Sequence, residues 1–277
     1  MATAKNKSKR LARNFHRTFI PEKQYLGALL KYAADNGCHD MQAIADATGI
    51  PTGSSSGKAL PTADYCTAMH LVTSADGRLS LTPFGRTVML EDRFFRENLT
   101  QWIAHLFLCN KEDGAEAWYQ VFWNGKDILG DKFTQETLEQ WICPILGAAD
   151  AKALSPTFRM YSDENSFQKC GAIKEVSGEW CREKAPVDSS FAVGYAAWLT
   201  EAIERNKRSG SQVTVDELED FCGFRSVTGW TLGESQQVLT MIEQKGIFSV
   251  DRHMRPWIIC NKLSSENLWK RLYEDFI

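Results

Sequence analysis

The stretch Arg13-Asn14-Phe15-His16-Arg17-Thr18-Phe19 sets a titratable imidazole beside a fixed guanidinium. A neutral imidazole there could take a proton from an attacking oxygen, while the arginine offsets charge building on a phosphate. Glu22, six residues beyond His16, either joins this pair or serves only the start of the helix that follows. His16, Arg17 and Glu22 are the candidate catalytic residues. The competing reading is that His16, flanked by Phe15 and Phe19, packs against the first helix. The sequence assigns no metal ligands.

A second stretch, "GSSSGK", resembles a nucleotide-binding loop. Such a loop places its first glycine five positions before the Gly-Lys pair and follows the lysine with Ser or Thr. Here Gly53 stands four before Gly57, and Ala59 follows Lys58. The spacing predicts a connector between two helices and no nucleotide. A serine nucleophile among Ser54, Ser55 and Ser56 has no identifiable base, since Ser and Gly clusters are ordinary loop material. His105 and Cys109 stand i, i+4 on one helix face, but two ligands do not make a zinc site, so a packed histidine and a buried thiol are expected. No PD-(D/E)xK, His-x-His or HNH nuclease pattern is present.

The elements that must position these residues read as mainly α. Tyr25, Leu26, Leu29, Leu30 and Ala33 predict a helix over 22–36, ended by Gly37. Asp40 caps a second helix over 41–48, closed by Gly49, and a third begins near Thr62. Two short apolar stretches around Asp76-Gly77 predict a type I′ hairpin. Three helices and a hairpin is the order of a winged helix-turn-helix, whose third helix would face a DNA groove. The candidate DNA contacts are Arg13, Ser54, Ser55, Ser56, Lys58, Thr62, Tyr65 and Arg78. The aromatic stretch from Phe94 to Trp141 predicts a buried bundle. Trp118, Tyr119, Phe122 and Trp123 could stack on unpaired bases, but their density favours core packing. A helix from Ser189 to Asn206 ends in Arg205, Lys207 and Arg208, which suit its negative pole. Beyond it, two helices and a hairpin suggest a second helix-turn-helix-like unit with Arg252 and Arg255 at its tip as further candidate DNA contacts, and "ENLWKRLYEDFI" reads as one amphipathic helix.

The domain expectation is therefore a basic arm (1–21), a winged-helix-like domain (22–93), an aromatic helical middle (94–154), an irregular connector (155–188) and a C-terminal helical, winged-helix-like domain (189–277). The 277 residues are 43% apolar, as in a globular protein, and 32 basic against 35 acidic side chains leave a net charge of −3. That balance gives no overall field to attract nucleic acid or an anionic membrane. It is uneven, however, with six basic and no acidic residues up to Pro21, so the body is more acidic than the total suggests. Eight scattered cysteines without a CxxC pair read as reduced cytoplasmic thiols. No apolar run of membrane length occurs.

Three stretches together, "NFHRTFIPEKQYLGALLKY", "LSLTPFGRTVMLEDRFFRENLTQWIAHLFLCN" and "AEAWYQVFWN", resemble a bacterial and archaeal family known as domain-of-unknown-function family 4007. Weaker similarity continues through "SFQKCGAIKE" and "VTVDELEDF". The resemblance implies a DNA-nicking endonuclease of a phosphorothioation-based phage-defence system, in which sulfur replaces a non-bridging phosphate oxygen. One strand would be cut so that a cysteine desulfurase, an ATPase and an ATP-dependent sulfur-transfer protein can insert sulfur. Nicking of this kind would use magnesium or manganese, without a nucleotide. Where relatives carry Gly-His-Glu-Thr-Phe, this chain has Phe15-His16-Arg17-Thr18-Phe19, so no acid or metal role carries over to Arg17. The alternative expectation is a non-catalytic DNA-binding adaptor or regulator.

Overall fold

The computed structural model describes residues 9–53, 57–147, 151–206, 212–253 and 255–276. Ser54, Ser55 and Ser56 lie outside the described residues, as do Lys207 and Arg208. Three helices come first: α1 (Lys23–Ala34), α2 (Met41–Thr48) and α3 (Ala59–Ala68). Leu26, Leu29, Leu30 and Ala33 form the buried stripe of α1. Asp40 caps α2 by accepting the backbone N–H groups of Gln42 and Ala43, and Gly49 closes it in the left-handed region at φ 71°.

The hairpin of β1 (Val72–Ala75) and β2 (Arg78–Leu81) turns on Asp76 and Gly77, whose φ angles of 50° and 70° are those of a type I′ turn. A bridge between Cys38 and Arg78 ties it to the loop after α1. The next helix, α4 (Pro83–Glu91), lies outside the sequence expectation, although its signal is present: Thr82 accepts from Gly85 N–H as N-cap, and Pro83 sits in the first turn.

In α5 (Asn98–Leu108) every residue from Leu99 to Leu108 is buried. It is followed by α6 (Glu116–Trp118), a π turn over Tyr119–Asn124, and α7 (Lys126–Leu129). Trp118 and Phe122 are core residues, as the aromatic density suggests. Next come β3 (Lys132–Thr134), α8 (Gln135–Leu146), α9 (Ser155–Arg159), β4 (Ile173–Val176) and β5 (Glu179–Arg182), the strands pairing antiparallel in the order β3-β5-β4. The stretch expected to be an irregular connector thus contains a short helix and a hairpin completed by β3.

The long helix α10 (Ala192–Asn206) is buried from Ala192 to Ile203 and packs on α5. After it come β6 (Gln212–Thr214), α11 (Val215–Cys222), α12 (Leu232–Gln244), β7 (Phe248–Asp251), β8 (Ile258–Asn261) and α13 (Ser265–Trp269), with sheet order β6-β8-β7. Reciprocal capping boxes, Thr214 with Glu217 and Thr231 with Glu234, start α11 and α12. The closing segment is not one amphipathic helix. After α13 its bonds tighten to i→i+3, from Arg271 N–H to Leu268 and from Leu272 N–H to Trp269, and Trp269, Leu272 and Tyr273 all turn inward. One hydrophobic core runs from Leu26 to Tyr273. All eight cysteines are free thiols, and no helix among the described residues is long and apolar enough to cross a membrane.

Candidate functional site

The segment before α1 forms a tight turn in which Arg17 and Thr18 both have positive φ, 54° and 135°. Neither is glycine, and for β-branched Thr18 such a backbone is an outlier costing roughly 1–3 kcal/mol. The surroundings hold it there. Arg159 at the end of α9 donates from Nη2 to the Thr18 carbonyl at 2.9 Å, Ser166 Oγ donates to the Pro21 carbonyl at 2.8 Å, and Tyr65 OH donates to the Phe19 carbonyl at 3.0 Å. Arg17 and Arg159 remain exposed on the outside of the turn.

His16 points the other way. It is 3% exposed, edge-on to Phe15 and Trp118 with centroids 5.3 and 6.2 Å away. Neither ring nitrogen has a well-formed hydrogen bond. Burial lowers its pKa, a backbone contact from Arg13 opposes this in part and the Arg159 charge adds to it, leaving the value at about 4. The ring is therefore neutral at pH 7, able to accept a proton and walled off from solvent. Asp64 of α3 faces Arg17 in charge; burial raises its pKa, and the charges of His39 and Arg17 oppose the rise.

The remaining expected site residues are placed as follows. Glu22 is ion-paired with Lys58 rather than with His16, and the Lys58 ammonium also lies over the Phe19 and Tyr25 rings at 5.7 and 5.1 Å. Thr62 and Tyr65 are 5% and 1% exposed and face the core, so α3 does not offer them to a groove. Its apolar positions 59, 63, 66 and 69 leave a buried face wide enough to take these neighbours along. Arg13 donates to the Leu146 carbonyl. Arg78 is exposed and donates to the Asn36 carbonyl at 3.0 Å. Arg252 is ion-paired with Glu243 at 2.7 Å and lies over Trp257, while Arg255 is exposed. The described part of the basic arm, from Lys9 onward, is docked: Leu11 bridges to Ala115, and Arg10 is paired with Glu116 at 2.6 Å.

His105 accepts or donates at 2.6 Å to Tyr161 OH, with Cys109 Sγ 3.7 Å from its ring, and both are buried. Burial, and to a lesser degree the Arg182 charge, lower the His105 pKa to about 3. These are packed groups, as expected. A second polar cluster was beyond the sequence: Arg205 binds Asp113 at 2.9 Å and Glu201 at 2.7 Å, and Glu201 also takes His70 and the Trp269 indole N–H. Burial would raise the Glu201 pKa, but His70, Arg205 and Trp269 together hold it below the usual value. Arg205 thus serves a tertiary clamp in addition to its helix end. Arg159 and Asp64 carried no sequence signal, because both reach the turn only through packing.

No family model matches the chain, and no curated protein does. Among solved structures, an SspB crystal structure superposes with a TM-score of 0.67 at 15% identity, covering 98% of this chain and 89% of that one. The fold is SspB-like. A magnesium ion-bound SspB crystal structure superposes with a TM-score of 0.68 at the same identity and coverage. The resemblance to family 4007 is one of sequence stretches, and no family model bears it out. In this chain no group of three or more His, Cys, Asp or Glu among the described residues is arranged to hold a metal ion. Glu22 is held by Lys58, and Asp64 lies half-buried on another element. These side chains do not build a magnesium cage of their own.

Proposed function

We propose that this protein acts on DNA as the strand-nicking component of a phosphorothioate-modification, phage-defence system, and that the His16–Thr18 turn receives the phosphate backbone. The observation that carries this reading is an SspB-like fold over 98% of the chain, combined with a strained turn that holds Arg17 and Arg159 outward on one surface. Backbone held in a sparsely populated region by its neighbours is a feature that clusters at functional sites. The planar fork of a guanidinium suits a phosphate oxygen pair as well as its charge. The cut strand would pass to a cysteine desulfurase, an ATPase and an ATP-dependent sulfur-transfer protein.

A second reading is favoured by one observation: His16 is 3% exposed, so its ring reaches a phosphate only if the turn opens. On that reading the protein is a non-catalytic DNA-binding adaptor. Incubating purified protein and magnesium with supercoiled plasmid separates the two. Nicking converts plasmid to open circle. Retention of DNA in a mobility assay with the plasmid still supercoiled, from a folded preparation, removes the enzyme reading and leaves the adaptor.

A further inference from the structure

Trp180 lies on β5, the middle strand of the β3-β5-β4 sheet, and is half-buried. Its ring packs on Phe158 of α9, with centroids 4.5 Å apart and planes 34° apart, and its indole N–H donates to Gln135 Oε1 at 3.2 Å in the first turn of α8. These contacts fix the plane of the ring. They also form one wall of an open groove of about 520 Å³, large enough for a nucleoside, with Leu138 and Ile173 in its lining.

The rim carries charge of both signs, with Arg159 as its exposed guanidinium. Lys152, Arg159 and Lys174 border the groove against Glu175, and Lys174 is ion-paired with Glu183. Arg159 gives Nη2 to the Thr18 carbonyl, and a guanidinium has five N–H groups. One side chain therefore belongs to both the groove and the strained turn. An aromatic wall with an exposed guanidinium at its edge matches a flat, uncharged base carried on an anionic backbone.

We propose that this groove receives one unstacked base of a DNA strand, seated against Trp180, with its phosphate at Arg159 so that the adjoining backbone lies along the Arg17–Thr18 turn. The inference rests on the DNA reading above and names the part of the substrate that this surface takes. Base-on-aromatic seating is tolerant of sequence, because every base presents a π face. It calls for a strand that is single or locally opened.

A short single-stranded oligodeoxynucleotide carrying 2-aminopurine, titrated with the full chain, reports the stacking as fluorescence quenching. Wild type is expected to quench it saturably. Trp180→Ala should lose the quenching and weaken binding about tenfold, whereas Trp180→Phe should retain both. Ser162 is exposed and lines the groove, so Ser162→Trp should fill it and abolish quenching without disturbing the Trp180–Phe158 contact. DNA that is bound but unquenched, or a Ser162→Trp protein that quenches like wild type, overturns the base site and leaves the DNA reading standing. No retention of any DNA at low salt overturns both. Quenching lost equally on addition of an acidic peptide and of plain oligodeoxynucleotide would assign the groove to polyanions in general and overturn base recognition.

Discussion

His16 illustrates how one side chain can be both the best chemical candidate and a poor one. Its ring has an ordinary pKa of 6.5 in the unfolded chain and about 4 in the folded one, so the unfolded state binds the proton first as pH falls. The contribution to stability is therefore complete above pH 6.5 and is lost progressively as pH drops through 6.5 toward 4. His16→Phe keeps an aromatic ring and removes two nitrogens that lack a well-formed hydrogen bond. Relative to wild type, the variant should gain about 2 kcal/mol between pH 7 and pH 5, read from urea midpoints at the two pH values. His105 titrates in the same direction in both proteins and cancels. An identical gap at both pH values would show that the ring is not held neutral by burial. The same variant in the plasmid assay separates the two roles, since a packing residue can be replaced by Phe with nicking intact.

Among the elements, α4 depends on a single absent carbon. A Cβ added to Gly85 would lie 1.8 Å from the Leu71 carbonyl oxygen, a backbone atom that cannot swing aside. The closeness follows from the cap: Thr82 Oγ1 accepts Gly85 N–H at 2.9 Å while donating to the His70 carbonyl at 2.7 Å, pinning the first turn of α4 onto the end of α3. Gly85→Ala should cost at least about 3 kcal/mol and lower Tm by roughly 6–10 °C in a thermal melt. A melt within 2 °C of wild type, on the scale of ~1 kcal/mol or less, would mean that α4 is free to shift. Because α4 also packs on α1, which follows the His16–Thr18 turn, the loss should reach the candidate site.

For the whole molecule, a net charge of −3 supplies no long-range attraction to DNA, so the proposed binding would have to come from local cations. Most cations of the expected set are already engaged: Lys58 by Glu22, Arg252 by Glu243, Arg13 by a carbonyl. Arg17 and Arg159 are the exposed pair at the turn. Arg17→Ala and Arg159→Ala should each reduce the slope of log K against log salt by about 1, whereas Lys58→Ala should leave it unchanged. The measurement is a salt titration of DNA binding. A steeper effect from Lys58 than from Arg17 would move the phosphate path to the loop before α3.

What the residues determined alone is what lies within a few positions of itself. The Asp40 cap, the Gly49 stop, the Asp76-Gly77 turn and the apolar stripe of α1 are local chemistry, and each occurs where the sequence places it. The facing of Thr62 and Tyr65, the Lys58–Glu22 pair and the Arg159–Thr18 contact were decided by packing between segments 36 to 141 residues apart. Sequence spacing carries no record of such partners, because a charged or aromatic side chain is satisfied by whatever the fold brings beside it. His16 and Arg17 were legible as a pair. That one turns into the core while the other stays in water follows from the left-handed turn between them and Thr18, which no local preference of Arg or Thr would select.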